Sequence, residues 1–169
     1  PSDVRMELYV RAKTMEAIDC QHRRVDEALK AGGAAVGAKT VIETLPGMFP
    51  LACSPRLNDL FVENIKEYFP ETKIEDAGHF TASTDMGDIS HLMPSIHPFI
   101  GGVDGGLHTK DFCVTDFDAA AILPGKVFAM NIIDLLYDEA AMAKEILEKE
   151  KPILTKEEYL AKLESYFQS

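Results

Sequence analysis

At 169 residues, 46% apolar and 27% charged, the chain is long enough to bury a hydrophobic core in one domain or two small ones. Its formal net charge of −11 excludes a nucleic-acid backbone and an anionic membrane surface as expected partners, because both are bound through clustered Lys and Arg. No run of about 18 apolar residues and no signal-peptide pattern is found, so the sequence predicts neither a membrane-spanning helix nor secretion.

The chain opens without an initiator methionine and almost at once in a strand pattern, so a piece of a longer protein is expected. "VRMELYVRA" (Val4–Ala12) alternates polar and apolar residues, with Met6, Leu8 and Val10 on one face, and predicts a half-buried strand. Thr14 then supplies an N-cap. Ile18, Val25 and Leu29 line one side of a helix running to about Gly37. "KTVIETL" (Lys39–Leu45) predicts a second strand, ended by Pro46-Gly47. This strand–helix–strand unit looks like half of a split βαβ, ferredoxin-like module.

Gly47–Cys53 reads as a linker. Ser54-Pro55 is an N-cap and first-turn pair opening an amphipathic helix with Leu57, Leu60, Phe61, Ile65 and Phe69, stopped by Pro70. Residues 73–112 predict short extended segments and turns. From Phe117 the pattern turns helical, with an interruption expected at Pro124-Gly125. Val127, Met130, Ile133 and Leu136 follow at spacings of three and predict an apolar stripe facing a core. A last helix begins at Thr155, where Thr155 and Glu158 form a capping box. The alternating charges of "AKEILEKEKP" predict a solvated helix face.

Cys20, Cys53 and Cys113 are odd in number, far apart and without CxxC spacing. Reduced, buried thiols in a cytoplasmic protein are expected, with no disulfide framework and no structural zinc. No GxSxG elbow, GxGxxG or Walker loop occurs; "GGVDGG" lacks the Lys-Ser/Thr that grips phosphate. Metal chemistry is better represented. Thr81–Phe112 holds His91, His97, His108, Asp85 and Asp88 in turn-rich backbone, with His79 just before it, and imidazole and carboxylate are the usual ligands of zinc, manganese and cobalt. None of their spacings makes a self-sufficient motif such as HExxH. Asp85 and Asp88 fit a carboxylate pair or, beside Gly87, turn caps.

Three segments in order, "STDMGDIS" (Ser83–Ser90), "PSIHP" (Pro94–Pro98) and "HTKDF" (His108–Phe112), carry a resemblance to the aminoacylase/carboxypeptidase metallopeptidase family. They are most similar to its amidohydrolase branch, which includes p-aminobenzoyl-glutamate hydrolases and aminoacylase-1-like dipeptidases. The segment from Tyr9 to Leu51 resembles the second half of that family's inserted lid. The resemblance implies an α/β (α+β) fold in two domains. Residues 1–50 would be the second half of a lid and dimerisation domain, half of a ferredoxin-like β-α-β unit. Residues 51–169 would be the C-terminal α/β segment of the catalytic domain.

The resemblance also implies an activity: hydrolysis of amide bonds in N-acyl amino acids, dipeptides or aryl-glutamate amides. It implies two divalent metals, zinc or manganese, a metal-activated water, and a homodimer formed through the lid. His108 matches the family's last metal ligand. Ser83, Thr84 and Asp85 match a substrate-lining loop, and Arg11 falls where relatives place a lid arginine that pairs with substrate carboxylate. The other ligands and the general base have no match here, with no His-x-Asp among them, so this chain by itself is expected to be inactive. His91 and His97 are expected to be structural, and His22 and His79 incidental. A noncatalytic dimerisation or ligand-binding module is the alternative.

Overall fold

The computed structural model describes residues 2–76, 78 and 82–167. Its elements are helices α1 (Met15–Ala35), α2 (Pro55–Tyr68) and α3 (Met86–Leu92), and strands β1 (Val103–Asp104) and β2 (Cys113–Val114). A π-helical turn (Asp118–Ile122), α4 (Leu123–Lys149) and α5 (Lys156–Tyr166) complete the order. The described fold is therefore mostly helical, with one two-stranded sheet. The chain divides into two compact units: Pro1–Leu51 with Ala77–Leu92 and Leu154–Ser169, and Ala52–Asp76 with Met93–Ile153.

In the first unit, α1 starts as expected, with the Thr14 hydroxyl accepting the Ala17 N–H at 3.2 Å. It ends at Ala35, and Gly37 just beyond the C-cap Val36 has a φ of 72°, left-handed backbone suited to glycine. Ile18, Val25 and Leu29 are half-buried on one side of the helix. Neither expected strand is present. Residues 4–12 and 39–45 belong to no ladder, and Val4, Met6 and Leu8 are exposed. A strand needs a neighbour for its backbone N–H and C=O groups, and periodicity marks a face without supplying that neighbour. The second segment keeps its period of two: Thr40, Ile42 and Thr44 are half-buried, while Val41, Glu43 and Leu45 are exposed.

The supposed linker also needs correction. Phe49 within it is buried at 2% exposure and serves as core.

In the second unit, the Ser54 hydroxyl accepts the Leu57 N–H at 3.1 Å and Pro55 takes the first turn, where its missing N–H costs nothing. Phe61 and Ile65 of α2 pack with Val127 of α4, which is fully buried, and Phe69, Ile96 and Leu123 close the cluster. Beside it lies a polar pair of contacts. The buried Asn64 amide donates to Asn131 Oδ1 and to Asp134 Oδ2, both at 2.8 Å.

The α4 stripe runs through Val127, Asn131 and Asp134, leaving Ile133 and Leu136 exposed. Steps of three drift around a helix of 3.6 residues per turn, so Val127 and Leu136, nine apart, stand about 180° from each other. Pro124-Gly125 does not interrupt the helix, because Pro124 sits in its first turn. The break falls instead at Tyr137–Ala140, where Asp138, Glu139 and Ala140 have positive φ.

A further correction concerns membranes. Asp118–Lys149, 32 residues, is long and apolar enough to cross one by length and composition. The sequence has no unbroken apolar run of about 18 residues, and this helix intersperses polar residues among its apolar ones. In this unit its Val127 and Asn131 are buried against α2.

Asn64→Ala leaves the buried Asn131 oxygen without its donor and is expected to cost about 1–3 kcal/mol. Urea unfolding should show a lower midpoint at unchanged slope; an unmoved midpoint would show that the contact contributes nothing.

Candidate functional site

Ser83–Asp85 immediately precede α3. The Thr84 carbonyl accepts the Gly87 N–H at 2.9 Å, and the Asp85 carbonyl accepts the Asp88 N–H at 3.1 Å. The Thr84 hydroxyl donates to Asp85 Oδ1 at 3.2 Å and accepts the Met86 N–H at 3.4 Å. These bonds make the turn, and they leave the Ser83 and Asp85 side chains exposed. The side-chain oxygen that accepts a backbone N–H in this turn is that of Thr84, while the Asp85 carboxylate accepts the Thr84 hydroxyl.

Two contacts with Phe49 seat α3. Gly87 is buried against the Phe49 carbonyl so closely that any Cβ would overlap it. The Gly87 carbonyl accepts the Ser90 hydroxyl at 2.6 Å and His91 Nδ1 at 2.9 Å; because a carbonyl only accepts, Nδ1 carries the proton in this contact. The Phe49 ring meets His91 edge-on at 5.2 Å between centroids and Tyr159 at 5.4 Å. His91 is thus a packed, hydrogen-bonded core side chain.

α5 supplies the remaining ties. Its capping box forms as predicted, with Thr155 Oγ1 accepting the Glu158 N–H at 3.2 Å and Glu158 Oε2 accepting the Thr155 N–H at 2.8 Å. Tyr159, Lys162 and Tyr166, at spacings of three and four, share one face of the helix. The Tyr159 hydroxyl donates to Asp88 Oδ1 at 3.2 Å. Burial raises the Tyr159 phenol pKa, and the Asp88 charge adds to it.

Lys162 donates to Asp19 Oδ2 at 2.5 Å and Tyr166 to Asp19 Oδ1 at 2.8 Å. Burial pushes the Asp19 carboxyl up, but these bonds and the Lys162 and Arg23 charges outweigh it and hold the group below its usual range. The hydrogen bond to Asp19 raises Lys162 against the opposing effect of burial.

Arg11 belongs to the first unit. Its exposed guanidinium lies 5.2 Å from the Tyr9 ring centroid. His22 is half-buried, 3.3 Å from both Asp26 Oδ2 and Thr44 Oγ1. His79 lies outside the described residues.

His108 belongs to the second unit, in the loop joining β1 to β2, which pair antiparallel with Val103 opposite Val114. Gly105 turns the chain at φ 84°, close against the Asp111 carbonyl. The Gly106 carbonyl accepts the Thr109 hydroxyl at 2.7 Å and its N–H at 3.1 Å. His108, between them, is exposed with φ 61°, an uncommon conformation for a residue with a side chain. His97 is exposed and tilted against Phe99 at 6.0 Å.

The structure therefore groups Arg11 and Ser83–Asp85 in one unit and His108 in the other. Among the described residues no group of three or more His, Cys, Asp or Glu side chains is placed to hold a metal ion, so those residues do not by themselves fit a metal centre. The thiols depart from expectation too: Cys20 and Cys113 are exposed and Cys53 is half-buried. Sequence reasoning missed Phe49, Tyr159, Lys162 and Asp19. The spacing of Tyr159, Lys162 and Tyr166 was the available signal for a shared face.

No family model matches the chain, and no solved structure matches it. The chain is similar to the Xaa-Arg dipeptidase of Mus musculus. The two are 28% identical over 150 residues, 84% of this chain and 35% of that dipeptidase. The chain thus spans about a third of the length of the curated relative it matches. This similarity supports a relationship to peptidases and amidohydrolases.

Asp19→Asn is expected to lower stability by about 0.5–1 kcal/mol at pH 7, a modest figure because a third of each partner's side chain faces solvent. A carboxyl held low when folded stabilises above its ordinary value of 3.8, and that contribution is lost as pH falls through the folded value. The wild type and variant should therefore converge in unfolding experiments below about pH 4. A constant difference across that range would contradict the pairing.

Proposed function

We propose that the chain is part of a metal-dependent amidohydrolase that cleaves the amide bond of dipeptides or N-acyl amino acids, aryl-glutamate amides included. The observation that carries this is the similarity to a dipeptidase over 84% of the chain. The run of Ser83–Ser90, Pro94–Pro98 and His108–Phe112 adds to it.

On this proposal Ser83, Thr84 and Asp85 line the substrate, and Ser83 and Asp85 have the exposure such contacts need. Arg11 pairs with the substrate carboxylate, a task suited to a planar guanidinium. His108 is one ligand of a zinc or manganese centre. Because the described residues do not complete that centre, the other ligands and the general base belong to further parts of the protein. The similarity to an Xaa-Arg dipeptidase makes Xaa-Arg dipeptides the first substrates to try. A cytoplasmic homodimer is part of the same proposal.

The complete protein bearing these residues should be assayed with Ala-Arg, N-acyl amino acids and an aryl-glutamate amide, with manganese or zinc added. Losing a hydrogen-bond partner of a metal ligand costs 10–100-fold, so His108→Ala, which removes a ligand, should lower kcat/KM by more than about 100-fold. Unchanged activity would remove His108 from the metal site, and a wild type inert toward every substrate would overturn the hydrolase proposal.

A further inference from the structure

We infer that Tyr159 is a positioning residue for the Ser83–Asp85 turn, which it holds through Asp88; the inference rests on that turn lining the substrate. Tyr159 lies more than seventy residues along the chain from the turn, yet its hydroxyl reaches Asp88 Oδ1 at 3.2 Å. Asp88 is itself in the first turn of α3, and its N–H donates to the Asp85 carbonyl at 3.1 Å. The path from α5 to the turn is therefore two hydrogen bonds long.

The other contacts on α3 fix different parts of it. Gly87 abuts the Phe49 carbonyl, and the His91 carbonyl, at the far end, accepts the Leu154 N–H at 2.9 Å. The Phe49 carbonyl limits how near α3 comes, while the Asp88–Tyr159 bond draws its first turn toward α5. The Tyr159 ring also packs on Phe49, so ring and hydroxyl have separable roles. Lys162 and Tyr166 anchor the same face of α5 to Asp19 on α1, which makes α5 a fixed base for the contact.

A neutral phenol donating to a carboxylate is a charge-assisted bond and directional. Without it, the half-buried Asp88 turns to water. The Phe49 packing survives, and the turn samples more orientations. A loosened substrate turn weakens substrate binding before it alters the reacting groups, so the effect belongs in KM.

The test compares the complete protein with Tyr159→Phe, Asp88→Ala and Asp88→Asn, reading KM and kcat on Ala-Arg together with amide hydrogen exchange over residues 86–89. Tyr159→Phe and Asp88→Ala should raise KM about three- to tenfold with kcat within twofold, and should speed exchange at Gly87–Ile89 at least threefold while α1 is unchanged. Asp88→Asn retains an oxygen acceptor without the charge and should fall between wild type and Asp88→Ala in both readouts.

Unchanged exchange in Tyr159→Phe overturns the inference. Faster exchange with unchanged KM also overturns it, leaving Tyr159 a purely structural residue. A wild type that turns over no substrate overturns the hydrolase proposal instead, and the exchange rates then decide alone whether Tyr159 holds the turn.

Discussion

Gly87 has no room for a side chain, and the first unit is arranged around that contact. Its Cα lies against the Phe49 carbonyl, which brings a segment read as linker into the core. From there the Phe49 ring meets His91 on α3 and Tyr159 on α5. One buried aromatic thus joins three stretches far apart in sequence. The polar face of α5 adds direction, with Tyr159 on Asp88 and with Lys162 and Tyr166 on Asp19. The close fit at Gly87 and the edge-on aromatic pairs restrict how α3 sits, and the hydrogen bonds add to that restriction.

The second unit combines the same two kinds of interaction differently. Phe61, Ile65 and Val127 exclude water between α2 and α4, and Asn64 fixes their register through Asn131 and Asp134. A buried amide with its partners in place specifies one alignment, because any slip leaves polar atoms unpaired. His108 stands apart from this core, on a hairpin loop whose Gly105 and Thr109 are fixed by backbone contacts. His108 is exposed on that loop.

How much was legible in the sequence follows the range of the interactions involved. The caps at Thr14, Ser54 and Thr155 were all readable, since each bond closes within three residues. The strands around Met6 and Ile42 were not, because alternation cannot supply a hydrogen-bonding neighbour. The seven residues of α3 are too few to show a period, and Gly87 looked like a turn signal when its role is close packing. Pro124 was misread as a break because its tolerance at a helix start depends on where the helix begins. Residue types left Asp85 and Asp88 open between a carboxylate pair and turn caps, and Ser83–Asp85 were singled out by resemblance. The Asp88–Tyr159 bond was not legible, as it depends on how distant segments pack.

The similarity to a dipeptidase supports a relationship to peptidases and amidohydrolases, and amide hydrolysis is the activity proposed from it. His108 is the residue on which the metal part of the proposal turns. The most direct measurement is anomalous diffraction at the zinc edge from crystals of the complete protein soaked with zinc. The account predicts a peak about 2.0–2.1 Å from an imidazole nitrogen of His108. Zinc bound elsewhere, with His108 left facing solvent, would contradict it.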